Sequence, residues 1–427
     1  MYPNLYYAFE DLFGVKIHAL KFINTFGFFV AWSFFAAAYV LTRELRRKQR
    51  AGLMLSEDTK IIVGKPASTR ELLINFIGGF LLGYKMLGLF FADDALTIDP
   101  PAYIFSSQGN LPAGILLGLV LAGVKWYEKN KQKLAKPEER TIRLWPHDRV
   151  GDMLILALIF GFLGAKVFHN LENWNDFWKN PVDALLSFSG LTFYGGLICA
   201  GLAIYFYARK HKIGFRHLCD AFAPALLLAY AIGRIGCQVS GDGDWGIVNT
   251  AYISTRDAKV VRADSATVNS TLRRNGEYYK TMGYMEKEEV HRKNFPAPSW
   301  MPVWMVAYNY PHNTINEGIP IVDCKGDHCE QLPVPVFPTP FYETVVCLLL
   351  TGLLFYLRNK LRIPGTLFAV YLILNGLERF FIEKIRVNTK YDIFGFQPTQ
   401  AELISSLLVI IGVVLLFVLP RYKPKAA

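Results

Sequence analysis

Nine stretches of the chain are apolar at almost every position, and polar or charged loops separate them. They lie near residues 17–41, 72–91, 111–126, 153–171, 188–207, 221–236, 341–357, 365–382 and 403–419. A helix needs about 20 apolar residues to cross about 30 Å of hydrocarbon. Each run therefore predicts a membrane-crossing helix, the third being the shortest. One long segment breaks the pattern. Residues 247–338 are polar and rich in proline and aromatic residues, which predicts a subdomain in water. Within it, AYISTRDAKVVRADSATV predicts strand through its β-branched content. The expected fold class is an all-α polytopic membrane protein with about nine transmembrane helices and a small outer-face subdomain.

Charge orients the runs. RELRRKQR, YEKNKQKLAKPEERTIR, ARKHKIGFRH, RNKLR and PRYKPKAA follow the first, third, fifth, seventh and ninth, whereas ADDALTIDP and NLENWND follow the second and fourth. Basic loops stay in the cytoplasm, so the N-terminus is expected outside and the C-terminus inside. The loop after the eighth run is the exception, because it puts Lys384, Arg386 and Lys390 outside. The expected organisation is residues 1–50, a first helix with its basic end; 51–147, an inserted transmembrane hairpin with cytoplasmic loops; 148–246, the first part of a membrane core; 247–338, the outer subdomain; and 339–427, the last three helices of the core. The opening MYPNLYYAFED has no basic n-region, so no cleavable signal peptide is expected.

Composition narrows the class. Of 427 residues 52% are hydrophobic, 15% aromatic and only 19% charged, which excludes an ordinary soluble enzyme. The net charge of +11 sits mostly in short loops between runs, so it does not predict nucleic-acid binding. Cys199, Cys219 and Cys347 lie in apolar runs, as packing residues do. Cys324 and Cys329 flank KGDH in the polar segment and would bridge in an oxidising compartment. With His328 they do not complete a zinc site.

Residues 233–246, GRIGCQVSGDGDWG, hold the main candidate chemistry. An arginine leaves an apolar run there and a glycine-rich acidic turn follows. Intramembrane ionisable groups usually mark sites or pathways, and glycines let backbone approach a ligand. Other polar groups are expected at the same side of the bilayer: Lys166, Tyr194, Glu343, Gln400, Glu402, and the trio Asn375, Arg379 and Glu383, which are spaced four apart on one helix face. The plain alternatives are snorkelling for Lys166, Glu343 and Glu402, an intrahelical pair for Arg379 with Glu383, and close helix packing for Gly195–Gly196.

Taken in order, five segments resemble the prolipoprotein diacylglyceryl transferase family. GAKVFHNL, GLTFYGG, GRIGCQVSGDGDWG, FPTPFYE, and LERFFIEKIR with QPTQAELISS stand where that family has its fourth-helix motif, S-F-H-G-G, G-R-x-G-N-F-x-N-G-E-x-x-G, H-P-S-Q-L-Y-E, and R-x-x-x-E-x-x-R followed by S-x-x-Q-x-x-S. The resemblance covers about residues 148–420, with a weaker echo in FINTFGFFVAW. It implies an enzyme of the bacterial inner membrane, with its site toward the periplasm. Such enzymes move the diacylglyceryl group of phosphatidylglycerol onto the lipobox cysteine of a prolipoprotein signal peptide, forming a thioether and releasing glycerol phosphate. It implies neither metal nor cofactor. Arg234 and Arg379 match the family's two key arginines and would clamp the phosphate, a role suited to guanidinium. Glu383 matches the carboxylate of the same helix, and Gly246 the closing glycine. Gly195, Gly196, Cys237, Gly241, Asp244, Asn375 and Phe26 complete the expected lipid-binding set, and Tyr194 and Asp242 join Arg234, Arg379 and Glu383 as the expected catalytic residues.

The chain departs from the family pattern at several positions. Tyr194 replaces the histidine before Gly-Gly, Cys237 the signature asparagine, and Phe26 the tyrosine near the N-terminus. One extra residue lets either Asp242 or Asp244 stand for the signature glutamate. Tyrosine, with an ordinary pKa near about 10, is a poor base at neutral pH. Either the reaction survives with the base elsewhere, or the chain is a lipid-binding paralogue without the transfer. An anion transporter fits less well, because the charges gather at one face instead of the midplane and no two halves look alike.

Overall fold

A computed structural model of the chain describes residues 1–88, 103, 107–181, 184, 192–286, 289–388, 391 and 397–421. Its longer helices are α1 (Leu5–Phe13), α2 (Thr25–Arg50), α3 (Thr69–Leu82), α4 (Leu111–Lys131), α5 (Val150–Glu172), α6 (Phe193–Lys210), α7 (Phe215–Ser240), α8 (Ser265–Arg274), α9 (Thr339–Leu357), α10 (Thr366–Glu383) and α11 (Gln400–Val418). Each apolar run has its helix among the described residues: α2 to α7 and α9 to α11. Among the described residues, six helical stretches are long and apolar enough to cross a membrane: Thr25–Arg50, Leu111–Lys131, Pro146–Glu172, Phe215–Ser240, Thr339–Leu357 and Gln400–Arg421. Of the others, α3 has only 14 residues and α10 carries Glu378, Arg379 and Glu383.

Several boundaries differ from the sequence expectation. Residues 17–23 are not part of α2; His18–Phe22 is a short 3-10 turn. The basic RELRRKQR is the end of α2 and not a loop, because Arg, Glu, Lys and Gln are good helix formers whatever their polarity. Likewise α7 continues through Ser240, so the first eight residues of the 233–246 stretch are helical and the turn proper begins at Gly241. The end of the second run and the start of the fifth lie outside the described residues. An unexpected helix, α1, opens the chain, with Asn4 accepting from the amides of Tyr6 and Tyr7 as its N-cap.

The chain forms two compact units. One comprises residues 18–22 and 45–215. In it α3 packs on α4 and α5 on α6. The loops around the α3–α4 hairpin are not loose. Glu57–Val63 (β1) pairs antiparallel with Glu138–Leu144 (β2), Glu57 opposite Leu144.

The other unit comprises residues 1–17, 23–44 and 216–427. Ala223, Leu227 and Ala231 of α7 form its helical core with Cys347 and Leu354 of α9 and Leu367 of α10. Asp220 fixes the start of α10: its carboxylate accepts from the amides of Gly365 at 2.9 Å and Phe368 at 3.1 Å. Residues 247–338 fold with Trp245 over a core of Val248, Val268, Leu272, Tyr279, Tyr284, Tyr310, Leu332, Val334 and Val336. The predicted strand is a short hairpin, Tyr252–Ser254 against Val260–Arg262, and its last residues, SATV, start α8. Cys324 and Cys329 are disulfide-bonded.

Candidate functional site

In the second unit three helix ends meet: the C-terminal end of α7, the N-terminal end of α9 and the C-terminal end of α10. Backbone pairing fixes the meeting. After the turn, the Gly246 amide donates to Phe337 O and the Ile247 amide to Ile385 O, both at 2.9 Å, while Phe337 N returns to Ile247 O at 3.1 Å. Gly246 thus lies between the residue pair before α9 and the segment after α10. A β-carbon on it would be 2.6 Å from Ile385 O and 2.9 Å from Phe337 O, closer than any side chain tolerates. The turn itself uses Gly241 at φ +66° and Gly243 at φ +94°, a conformation glycine adopts freely.

This framework gathers three guanidinium groups around one carboxylate. Glu343, in the first turns of α9, is fully buried. Arg379 Nη1 donates to its Oε1 at 3.1 Å, Arg234 Nε lies 2.7 Å from its Oε2, and Arg386 Nη1 lies 3.6 Å from Oε1. Asp244 pairs with both Arg234 and Arg386. Glu383 pairs with Arg379 at 3.0 Å and accepts from Asn388 Nδ2 at 2.7 Å. The Arg234 guanidinium also lies 5.0 Å from the Tyr230 ring centre. Three cations and three anions are interlocked at the mouth of a helix bundle. Arginine forks are suited to a second, external anion of phosphate geometry.

The sequence candidates distribute unevenly. Arg234, Arg379, Glu383 and Asp244 are all in the network. Asp242 has no ion pair among the described residues. Its Oδ1 accepts from the Asp244 amide at 3.3 Å, and burial pushes its carboxyl above the usual range. Of the two acids left open for the glutamate position, Asp244 is the one that meets the arginines. Cys237 is buried, with Arg234 Nη1 3.7 Å from its sulfur. Phe26, in the first turn of α2, lies beside Gly236. Asn375 is half-buried, two turns before Glu383 on α10.

Tyr194, Gly195 and Gly196 belong to the first unit, where Tyr194 is half-buried in the first turn of α6. The packing of α6 on α5 itself requires both glycines: a β-carbon at Gly195 would be 2.4 Å from Phe168 Cβ, and one at Gly196 2.8 Å from Gly161 O. The plain packing alternative therefore has a direct structural basis.

Three site groups were not singled out as site residues from the sequence. Arg386 is only 9% exposed and joins Asp244 to Glu343; its signal was its place as an outer-loop cation against the charge pattern. Lys390, from the same loop, lies outside the described residues. Glu343, whose plain alternative is snorkelling, is the centre of the network. Glu378 precedes Arg379, is buried, and has neither carboxyl oxygen hydrogen-bonded among the described residues. Nothing in the sequence distinguishes it.

Residues 112–418 match the family model described as prolipoprotein diacylglyceryl transferase. The match begins earlier than the motif resemblance and takes in α4. Among curated proteins, the phosphatidylglycerol–prolipoprotein diacylglyceryl transferase of Clostridium novyi is 25% identical over 303 residues, covering 71% of this chain and 88% of that protein. The protein of the same name from Dehalococcoides mccartyi is 24% identical over 335 residues, covering 78% and 97%. That from Leptospira interrogans is 22% identical over 347 residues, covering 70% and 85%.

Proposed function

Because the chain belongs to the prolipoprotein diacylglyceryl transferase family, we propose that it transfers the diacylglyceryl group of phosphatidylglycerol to the lipobox cysteine of prolipoproteins at the periplasmic face of a bacterial inner membrane. In this reading all nine apolar helices cross or enter the bilayer. The observation that carries it is the convergence of Arg234, Arg379 and Arg386 on buried Glu343. A phosphate diester bound there receives charge-assisted hydrogen bonds from guanidinium groups held in place before it arrives. The lipobox thiol loses its proton to water, its sulfur bonds to the terminal glyceryl carbon, and the bond from that carbon to the phosphate oxygen breaks. Glycerol phosphate leaves with one more negative charge on its phosphate, and the arginines stabilise that charge as it develops. Arg234 and Arg379 act as clamps, Glu383 orients Arg379, and Asp244 orients Arg234 and Arg386.

Transfer from labelled phosphatidylglycerol to a lipobox peptide, by purified protein beside Arg234→Ala, tests the reading. Thioether product that falls at least 100-fold in the variant supports it. A second reading, a lipid-binding paralogue without transfer, rests on Tyr194, Cys237 and Phe26. Wild-type protein that binds phosphatidylglycerol but yields no product, with product appearing in Tyr194→His, would establish that reading instead.

A further inference from the structure

The subdomain presents a feature that the transfer reaction does not use. Residues 294–306, NFPAPSWMPVWMV, carry no charge. Seven of the ten residues from Phe295 to Trp304 are exposed, Trp300 at 76% and Trp304 at 43%. Tryptophan at such exposure forgoes much of its burial energy in water. This loop is nevertheless held firmly. Buried Asn249 donates through Nδ2 to Phe295 O at 2.8 Å and to Val306 O at 3.0 Å, and its Oδ1 accepts from Phe295 N at 3.1 Å. Tyr252 Oη accepts from Ala297 N at 2.8 Å. The loop closes on Val303–Met305, a single 3-10 turn. Both ends are fastened from beneath, and the apolar side chains form the free crown.

Where the crown sits is set by α9. Tyr342 Oη donates to Met305 O at 2.6 Å, and the Trp304 ring meets Phe341 edge-on at 5.0 Å between centres. Phe341 and Tyr342 are in the first turn of a helix long and apolar enough to cross a membrane. The crown is thus level with the end of a spanning helix and continuous with that helix's own aromatic residues. Tryptophan and tyrosine concentrate at this depth, where an amphipathic ring meets headgroups and upper acyl chains. Exposed Arg292 and Lys293 lead into the loop, and Arg292 Nη1 donates to Asn269 Oδ1 at 2.7 Å.

We propose that residues 295–304 form a membrane-dipping loop, with Trp300 and Trp304 inserted into the interfacial layer of the leaflet on the subdomain's side. The subdomain is then anchored to the bilayer at a second point besides its covalent links to α7 and α9. The segment between those helices is held against the lipid surface. The inference needs only that α9 spans the membrane; it does not depend on the transfer reaction.

The test uses full-length protein in vesicles of phosphatidylcholine with 20% phosphatidylglycerol, and emission is compared between wild type and Trp300→Phe/Trp304→Phe. The difference reports these two rings. With lipids brominated high on the acyl chain, the difference emission is expected to fall at least twofold, and aqueous iodide should leave it nearly unchanged. Strong iodide quenching without bromolipid quenching would place the loop in water and overturn the proposal. So would iodide quenching that a lipobox peptide alone abolishes, because the crown would then be a peptide dock. Matching circular dichroism keeps a folding failure of the double variant from being mistaken for either outcome. A Trp300→Glu variant adds a functional arm: its KM for phosphatidylglycerol should rise severalfold in vesicles and stay unchanged in detergent. If no transfer is seen in wild type, the proposed function fails while the quenching result still decides the loop.

Discussion

Glu343→Gln is the perturbation that most directly probes the arginine network. Glutamine keeps the shape and one oxygen acceptor for Arg379 but removes the charge shared by Arg234, Arg379 and Arg386. The interlocked set then changes from three cations and three anions to three and two. Breaking a buried ion pair on one side costs about 3–5 kcal/mol. Here the lower end applies, because Asp244 and Glu383 still partner the guanidiniums and these retain some solvent contact. At about 2.1 cal/mol/K of unfolding entropy per residue, a chain of 427 residues shifts by about 1 °C per kcal/mol, so a loss of about 3 kcal/mol lowers the midpoint of thermal unfolding by about 3 °C. The uncompensated cation has a remedy that wild type lacks: an external anion. Phosphatidylglycerol should therefore raise Tm more in Glu343→Gln than in wild type, with phosphatidylcholine as the baseline. Thermal unfolding in detergent with each lipid measures both effects. An unchanged Tm in phosphatidylcholine would show that Glu343 does not hold the arginines. A phosphatidylglycerol shift no larger than that of wild type would show that they do not receive the lipid phosphate.

Two other perturbations follow from the same framework. Gly246→Ala places a β-carbon against backbone oxygens of Ile385 and Phe337, so it should cost about 1–3 kcal/mol as overpacking does and raise the KM for phosphatidylglycerol by displacing Arg386. Gly233→Ala, with open space at its β-carbon, is the control and should leave Tm within about 1 °C, read by thermal unfolding. In the subdomain, Glu317 accepts from Tyr278 Oη at 2.6 Å, and burial raises its carboxyl above the ordinary value. A raised acid binds more protons folded than unfolded between its two pKa values, so stability falls as pH rises through that window and levels off above it. Tm measured from pH 4 upward should decline in wild type, and Glu317→Gln should flatten that decline; an unchanged slope in the variant would assign it to another group.

The helices were legible because a run of apolar residues predicts a spanning element without knowledge of its neighbours. Their ends were less so: the apolar run stops at Leu41, but the helix stops at Arg50, since hydropathy does not register the helix propensity of charged residues. The same division holds at the site. Arg234 stood out because an apolar helix surrounds it, and Arg379 with Glu383 because spacing of four puts them together. Arg386 and Asp244 meet across 142 residues of chain. The choice between Asp242 and Asp244 depends on two left-handed glycines, and no local pattern fixes where such a turn aims a carboxylate.

Under the proposed function, the balance of charge in this network bears on how a lipid phosphate would be received. Arg234, Arg379 and Arg386 are matched by Glu343, Asp244 and Glu383, so a phosphate does not enter a site of bare cations. It must compete with a carboxylate already bound. Glu343 and Glu383 are essentially buried, and releasing either would strand an anion away from water. Asp244 is 29% exposed and lies on the glycine turn, so it is the partner that can turn toward solvent at least cost. Displacing it would free Arg234 Nη1 and Arg386 Nη2 at once, so that both guanidiniums could donate charge-assisted hydrogen bonds to one phosphate. Substituting Asp244 with Asn weakens the internal competitor while preserving the turn. The variant should bind phosphatidylglycerol more tightly than wild type and release glycerol phosphate more slowly, lowering KM and kcat together. A variant that binds the lipid more weakly than wild type would instead make Asp244 part of the receiving surface and not its gate.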